Sequence, residues 1–163
     1  TGLKNIPFTS DLTGVDLGSL LTPLTSGIYH FDSTAQLTGN LILDAQGLDN
    51  AYWAFLIGSS LTTASSSSVT LINPGANNGV FWQVGSSATL GTNSLFLGNI
   101  LAAESATLTT NAAIQCGRVF ALNGAVTLDT NTINAICNNG YSGGFEFDEN
   151  GDVGPIASSA VPE

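Results

Sequence analysis

Short apolar runs alternate with polar corners along most of this chain, and no stretch carries the three-to-four-residue periodicity of an amphipathic helix. The runs fall into three sets. Leu37, Leu61, Leu90, Leu108 and Leu128 align as the inward residue of one strand set. Leu41-Ile42-Leu43, Val69-Thr70-Leu71-Ile72, Leu95-Phe96-Leu97 and Ala112-Ala113-Ile114 form a second. Trp53-Ala54-Phe55-Leu56-Ile57, Val80-Phe81-Trp82-Gln83-Val84, Ile100-Leu101-Ala102 and Val119-Phe120-Ala121-Leu122 form a third. The first set contains near-copies of one string: Ala88-Thr89-Leu90-Gly91-Thr92-Asn93, Ala106-Thr107-Leu108-Thr109-Thr110-Asn111 and Val126-Thr127-Leu128-Asp129-Thr130-Asn131. A repeat of roughly 20 residues marks a solenoid, whose units bury their apolar sides only by stacking on neighbours. Three short strands per repeat predict an all-β fold, a right-handed parallel β-helix of triangular cross-section with little or no α-helix.

The aligned leucines are 24, 29, 18 and 20 residues apart, so the early coils are expected to carry longer corners. Residues 1–34 read as a lead-in with first strands, including Gly27-Ile28-Tyr29-His30-Phe31 between turn signals. Residues 35–137 read as the coils. Residues 138–163 turn rich in Gly and Asn and then acidic, and read as a cap or tail in which Phe145-Glu146-Phe147-Asp148 alternates like an edge strand. Asn93, Asn111 and Asn131 are expected at one corner, stacked amide on amide in a backbone that tolerates the left-handed region. Trp53 and Trp82 are expected in the core or facing a packed helix.

Composition narrows the chemistry. The 163 residues are 43% hydrophobic but only 9% charged, so polarity rests on Ser, Thr, Asn and Gly. Two basic residues against 12 acidic ones give a net charge of -10, which leaves nothing to neutralise nucleic-acid phosphates. No apolar run is long enough to span a membrane. The chain starts at Thr1 without a signal peptide and reads as a mature or trimmed form. Cys116 and Cys137 are about one coil apart, so stacking brings them close; a disulfide is the leading reading and two buried thiols the alternative. One histidine, His30, cannot build a histidine metal cluster and reads as a strand residue. Asp148-Glu149-Asn150-Gly151-Asp152 misses the spacing of a calcium loop. Glu104 and Asp129 stand isolated rather than as a hydrolytic pair, and no glycine-rich phosphate loop leads from a strand into a helix. No catalytic residue, metal or cofactor is expected.

The segments Leu37-Thr38-Gly39-Asn40-Leu41-Ile42-Leu43-Asp44-Ala45, Phe81-Trp82-Gln83-Val84-Gly85-Ser86-Ser87-Ala88-Thr89-Leu90 and Asn123-Gly124-Ala125-Val126-Thr127-Leu128-Asp129 resemble the microbial DUF3494 ice-binding proteins. So does Asp16-Leu17-Gly18 followed by Gly27-Ile28-Tyr29. The resemblance covers roughly residues 10–135 and implies an irregular right-handed β-helix that adsorbs to ice, with thermal hysteresis and inhibited recrystallisation. Members of the family usually add an N-terminal stretch, with part of a first coil and a long helix along one solenoid side, and this chain has neither. The uncovered side and exposed coil ends then invite self-association. That supports a second reading, a structural or adhesive module that assembles into filaments or grips a polymer. Ala160-Val161-Pro162-Glu163 resembles the start of a bacterial surface-sorting tail, consistent with secretion or a cell-surface location.

Side chains alternate along a strand, so the neighbours of the aligned leucines point outward. One outward column then reads Gln36, Ser60, Thr89, Thr107, Thr127, and the next reads Thr38, Thr62, Gly91, Thr109, Asp129. From these the expected ice-binding residues are Thr38, Ser60, Thr62, Thr89, Thr107, Thr109 and Thr127, with ice or ordered water as partner. Taken alone, the pattern also fits threonines that simply favour strands and solvate an outer wall. The face carrying Ser68 and Thr70 competes with it.

Overall fold

The computed structural model describes residues 8–136 and the backbone of two further strands, Phe145–Phe147 and Val153–Pro155. Within residues 8–136 the chain winds through three parallel sheets in strict rotation. Face A contains β1 (Ser10–Asp11), β3 (Gly27–Phe31), β6 (Tyr52–Ile57), β9 (Gly79–Val84), β12 (Asn99–Ala102) and β15 (Val119–Ala121), hydrogen-bonded in that order. Face B contains β4 (Ala35–Leu37), β7 (Leu61–Thr63), β10 (Ala88–Leu90), β13 (Ala106–Leu108) and β16 (Val126–Leu128). Face C contains β2 (Leu24–Thr25), β5 (Asn40–Asp44), β8 (Ser68–Ile72), β11 (Leu95–Leu97), β14 (Ala113–Gln115) and β17 (Thr132–Asn134). Each coil visits A, B and C, giving a β-helix of three walls, right-handed as parallel crossovers require. The 3-10 turn Leu17–Ser19 is the one helical element among the described residues.

The coil pattern already runs through the segment read from sequence as a lead-in. β1 pairs in parallel with β3, β2 pairs with β5, and a single bridge joins Asp16 to Gln36 where a face-B strand would lie. Asp16 fixes that turn: its Oδ1 accepts from Gly18 N and Thr38 N, both at 2.9 Å. Burial pushes the Asp16 carboxyl up, but those bonds to the charged form win and hold it below the usual carboxylate range.

Alternation sends one side of every strand inward. On face A the rings stack along the axis: Tyr29 on Phe55 at 5.6 Å, Phe55 on Trp82 at 3.9 Å, and Trp82 against Phe96 of face C at 4.7 Å. Both indoles are core. Trp53 Nε1 donates to Leu24 O at 3.0 Å and Trp82 Nε1 to Leu97 O at 2.9 Å, so each buried N–H is satisfied.

At the corner between faces B and C the chain enters the left-handed region at Ser66, Asn93, Asn111 and Thr130. The expected asparagine ladder is corrected here. The last corner is one residue shorter, because Leu128 pairs with Leu108 while Thr132 pairs with Ala113. Thr130 therefore takes the left-handed place, and Asn131 instead donates from Nδ2 to Thr109 O and Ala112 O, each at 2.8 Å. No described hydrogen bond joins the amides of Asn93 and Asn111. A β-branched residue at φ +55° is strained. Thr130→Asn, matching Asn93 and Asn111, is expected to stabilise the fold by about 1 kcal/mol, read as a raised midpoint in scanning calorimetry.

The two ends of the described solenoid differ. Leu12 and Leu17 close the first coil and are buried. At the other end Leu128, stacked on the 1% exposed Leu108, is itself 53% exposed, and Val126 and Ile133 are exposed beside it. β15, β16 and β17 are the last strands of their sheets.

Candidate functional site

Among the described residues, face B presents the one regular outer surface. Its five strands pair in parallel, in register, so Gln36, Thr62, Thr89, Thr107 and Thr127 form a single outward column with rungs about 4.8 Å apart. The next column reads Thr38, Ala64, Gly91, Thr109, Asp129, following the same pairings by one step. This corrects the sequence reading in the second coil. Ser60 is not in the column; it sits half-buried at the corner before β7, with its Oγ 2.8 Å from Ser86 Oγ. Thr62 takes its place.

The cause is an exchange of large and small inside the core. Leu61 stands opposite Ala35 and Ala88, and Thr63 stands opposite Leu37. Every other face-B strand with a buried core side puts alanine first and leucine second; β7 reverses the sizes and keeps the filled volume similar. Thr63 is 3% exposed, and its Oγ1 accepts from Gly91 N at 3.0 Å, so the inward hydroxyl is satisfied. Gly91 must be glycine, since a Cβ there would lie 2.5 Å from the Ala64 carbonyl carbon. Aligning the coils on leucine shifted this strand by two residues.

The hydroxyls divide into two kinds. None of the described hydrogen bonds uses the side chains of Thr62, Thr89, Thr107 or Thr127. The second column is tied down: Thr109 Oγ1 donates to Leu90 O at 2.8 Å, and Thr38 Oγ1 accepts from Gln36 Nε2 at 3.4 Å. Asp129 ends that column with a charge. Its Oδ2 accepts from Thr110 Oγ1 at 2.6 Å and its Oδ1 from Thr130 Oγ1 at 3.1 Å. These bonds, Thr110 first, hold its carboxyl below the usual range, so the charge persists at neutral pH.

The other faces lack this regularity. On face C one outward column runs Asn40, Ser68, Leu95, Ala113, Thr132. Asn40 Oδ1 accepts from both Ser68 Oγ (2.8 Å) and Thr70 Oγ1 (3.2 Å), and Leu95 interrupts the polar row. The outer side of face A is mixed, with Ala54, Leu56, Phe81 and Leu101 beside the polar His30 and Gln83. His30 lies on it, stacked on Phe8 at 4.7 Å, with Asp11 3.8 Å from Nδ1 and Asp32 3.6 Å from Nε2. The carboxylates flank opposite ring nitrogens and converge on no common point. Among the described residues no group of three or more His, Cys, Asp or Glu is placed to hold a metal, and no helix is long and apolar enough to cross a membrane. Cys116 is disulfide-bonded; Cys137 lies outside the described residues. The acidic run Asp148–Asp152 also lies outside them.

A three-walled parallel β-helix with one flat, in-register threonine wall defines a class of solenoid binding proteins. The sequence profile of the Ice-binding-like family matches residues 1–134, and the chain belongs to that family. It is 59% identical over 127 residues to an ice-binding protein of Nostoc sp. (strain HG1), covering 78% of this chain and 46% of the relative. It is 33% identical over 132 residues to an ice-binding protein of Flavobacterium frigoris (strain PS1), covering 81% of this chain and 45% of the relative. The chain thus spans a little under half the length of these relatives. Among solved structures, the ice-binding protein of the Antarctic ascomycete Antarctomyces psychrotrophicus superposes with a TM-score of 0.73 at 40% identity, over 83% of this chain and 65% of that one. The DUF3494 domain of Shewanella frigidimarina ice-binding protein 1 gives 0.70 at 31% identity, over 78% and 53%.

Proposed function

We propose that this chain binds ice, or the ordered water on its surface, through the outer side of face B. The observation that carries the reading is the column Thr62, Thr89, Thr107, Thr127: four threonines on successive parallel strands with hydroxyls unused by the described protein groups. Threonine is stiff at χ1, so little side-chain freedom is lost on contact. Its methyl and hydroxyl together favour an ordered water layer, and the hydrogen-bonded wall keeps many weak contacts in one plane. Thr38 and Thr109 border this column, and Ser60 lies at its corner. Adsorbed molecules then pin a growing ice front, giving thermal hysteresis and inhibited recrystallisation. The named activity of the relatives supports this reading, which assigns no catalytic step to the chain.

Ice-crystal shaping, measured beside thermal hysteresis, tests the proposal. Faceted crystals and a freezing gap are expected; round, unshaped discs at high protein concentration would refute it. A disulfide between Cys116 and Cys137 fits a secreted or cell-surface protein. Self-association is a second, compatible reading, carried by the exposed Val126, Leu128 and Ile133 of the last coil. The filament or adhesive reading has no counterpart among the relatives.

A further inference from the structure

Two serine hydroxyls, Ser67 Oγ and Ser94 Oγ, are buried and meet no hydrogen-bond partner among the described residues. Ser67 is 1% exposed and Ser94 2%. Each follows the left-handed residue of the corner between faces B and C, Ser66 and Asn93. They hold the same place on successive rungs. Each amide closes its own corner, Ser67 N donating to Ala64 O at 3.3 Å and Ser94 N to Gly91 O at 3.1 Å. The rungs are neighbours, since Leu95 pairs with Ser68 and Leu95 N donates to Ser67 O at 2.9 Å. Alternation aims both side chains inward, because Val69 and Phe96, two residues on, belong to the core. On the next rung the buried Ala112 takes this place and brings no hydroxyl. A buried hydroxyl without a partner keeps its full desolvation cost, so two of them side by side need one.

We propose that this corner holds one internal water molecule, shared by Ser67 Oγ, Ser94 Oγ and the hydroxyl hydrogen of Thr63. Neighbouring rungs lie about 4.8 Å apart, too far for the two serine hydroxyls to bond each other. A water about 2.8 Å from each spans that gap at an angle of about 120°, which is ordinary hydrogen-bond geometry. Thr63 supplies both the third partner and the room. It ends β7 just before the corner, is 3% exposed, and its Oγ1 accepts from Gly91 N at 3.0 Å, which leaves its hydrogen to donate. Gly91 O accepts from Ser94 N, so Thr63 is tied to the corners of both rungs. The other rungs place Leu37, Leu90 and Leu108 where Thr63 stands. Threonine withdraws one heavy atom from this side of the wall, and Leu61 adds its bulk at the opposite side. The exchange therefore moves volume away from the corner that carries the hydroxyls. A water takes about 30 Å³ of liquid volume, close to a methyl-sized gap, and needs two to four polar partners, which the three hydroxyls provide.

Alanine variants test the site, because a shared water couples the two serines. Ser67→Ala and Ser94→Ala are each expected to lower the melting midpoint by about 2–4 °C, since the remaining hydroxyls lose their bridge. S67A/S94A is expected to fall by clearly less than the sum of the two. Single variants that raise the midpoint or leave it unchanged would mean dry, unpaired hydroxyls and overturn the proposal. Losses that simply add would mean that each serine bonds a carbonyl of its own, and overturn it as well. Oxygen-17 relaxation dispersion of the solvent is blind to serine hydroxyls and counts long-lived internal waters, so it supplies an independent readout. Its amplitude is expected to drop by one molecule from the unaltered chain to S67A/S94A. An unchanged amplitude would equally defeat the assignment.

Discussion

Thr89→Tyr combined with Thr107→Tyr is expected to abolish ice shaping and reduce thermal hysteresis at least tenfold, with the unfolding midpoint nearly unchanged. The two residues are neighbours in the centre of the face-B column. Their side chains point away from the core and accept or donate no described hydrogen bond, so the fold loses little when they change. Two bulky rings break the plane that lets Thr62, Thr89, Thr107 and Thr127 act together. The control is Ser68→Tyr on face C, which leaves activity near wild type if face B is the binding wall. Hysteresis kept by the face-B variant and lost by the face-C variant would transfer the site to the other wall.

The second large effect concerns stability. Trp82→Ala is expected to cost about 3–5 kcal/mol, a large part of the roughly 5–15 kcal/mol that stabilises an ordinary domain. Trp82 lies 3.9 Å from Phe55 with ring planes 9° apart, touches Phe96, and satisfies Leu97 O. Truncation removes the middle of the ring stack, leaves a cavity between two walls and strands a buried carbonyl. Trp82→Phe should cost distinctly less, because the stack survives and only the N–H and part of the volume go. Urea unfolding curves measure both. A loss below about 1.5 kcal/mol for the alanine variant would mean that the coils collapse around the gap.

The three-wall architecture was legible because the same leucine recurs and two further apolar runs follow it in every coil. The register was legible for β10, β13 and β16, whose strings are near-copies, and misread for β7. There the reversal of Leu61 and Thr63 defeats an alignment made on leucine. A better anchor was present: a small hydroxyl residue precedes the strand at Thr34, Ser60, Ser87 and Ser105, and aligning on it sets Leu61 beside Ala35, Ala88 and Ala106. The first coil escaped notice because β1 and β2 are two residues long, too short to carry a period. Asn131 misled for a related reason. A repeated letter cannot reveal that a corner has lost one residue and that Thr130 now takes the strained position. The long apolar runs Trp53–Ile57 and Val80–Trp82 did announce a wall buried on both sides.

The pairing of Ala88 with Ala106 and Leu90 with Leu108 has a consequence for how such a chain can change its size. Residues 88–105 form a closed module that begins just after one serine and ends on the next, with one strand on each wall. An in-frame tandem duplication of that stretch would insert a whole storey between two existing floors and join each wall to itself without a new kind of contact. The face-B column would grow by one threonine, and the ring stack and both ends would keep their neighbours. Heredity can therefore set the length of this surface in whole steps, independently of the parts that make it fold.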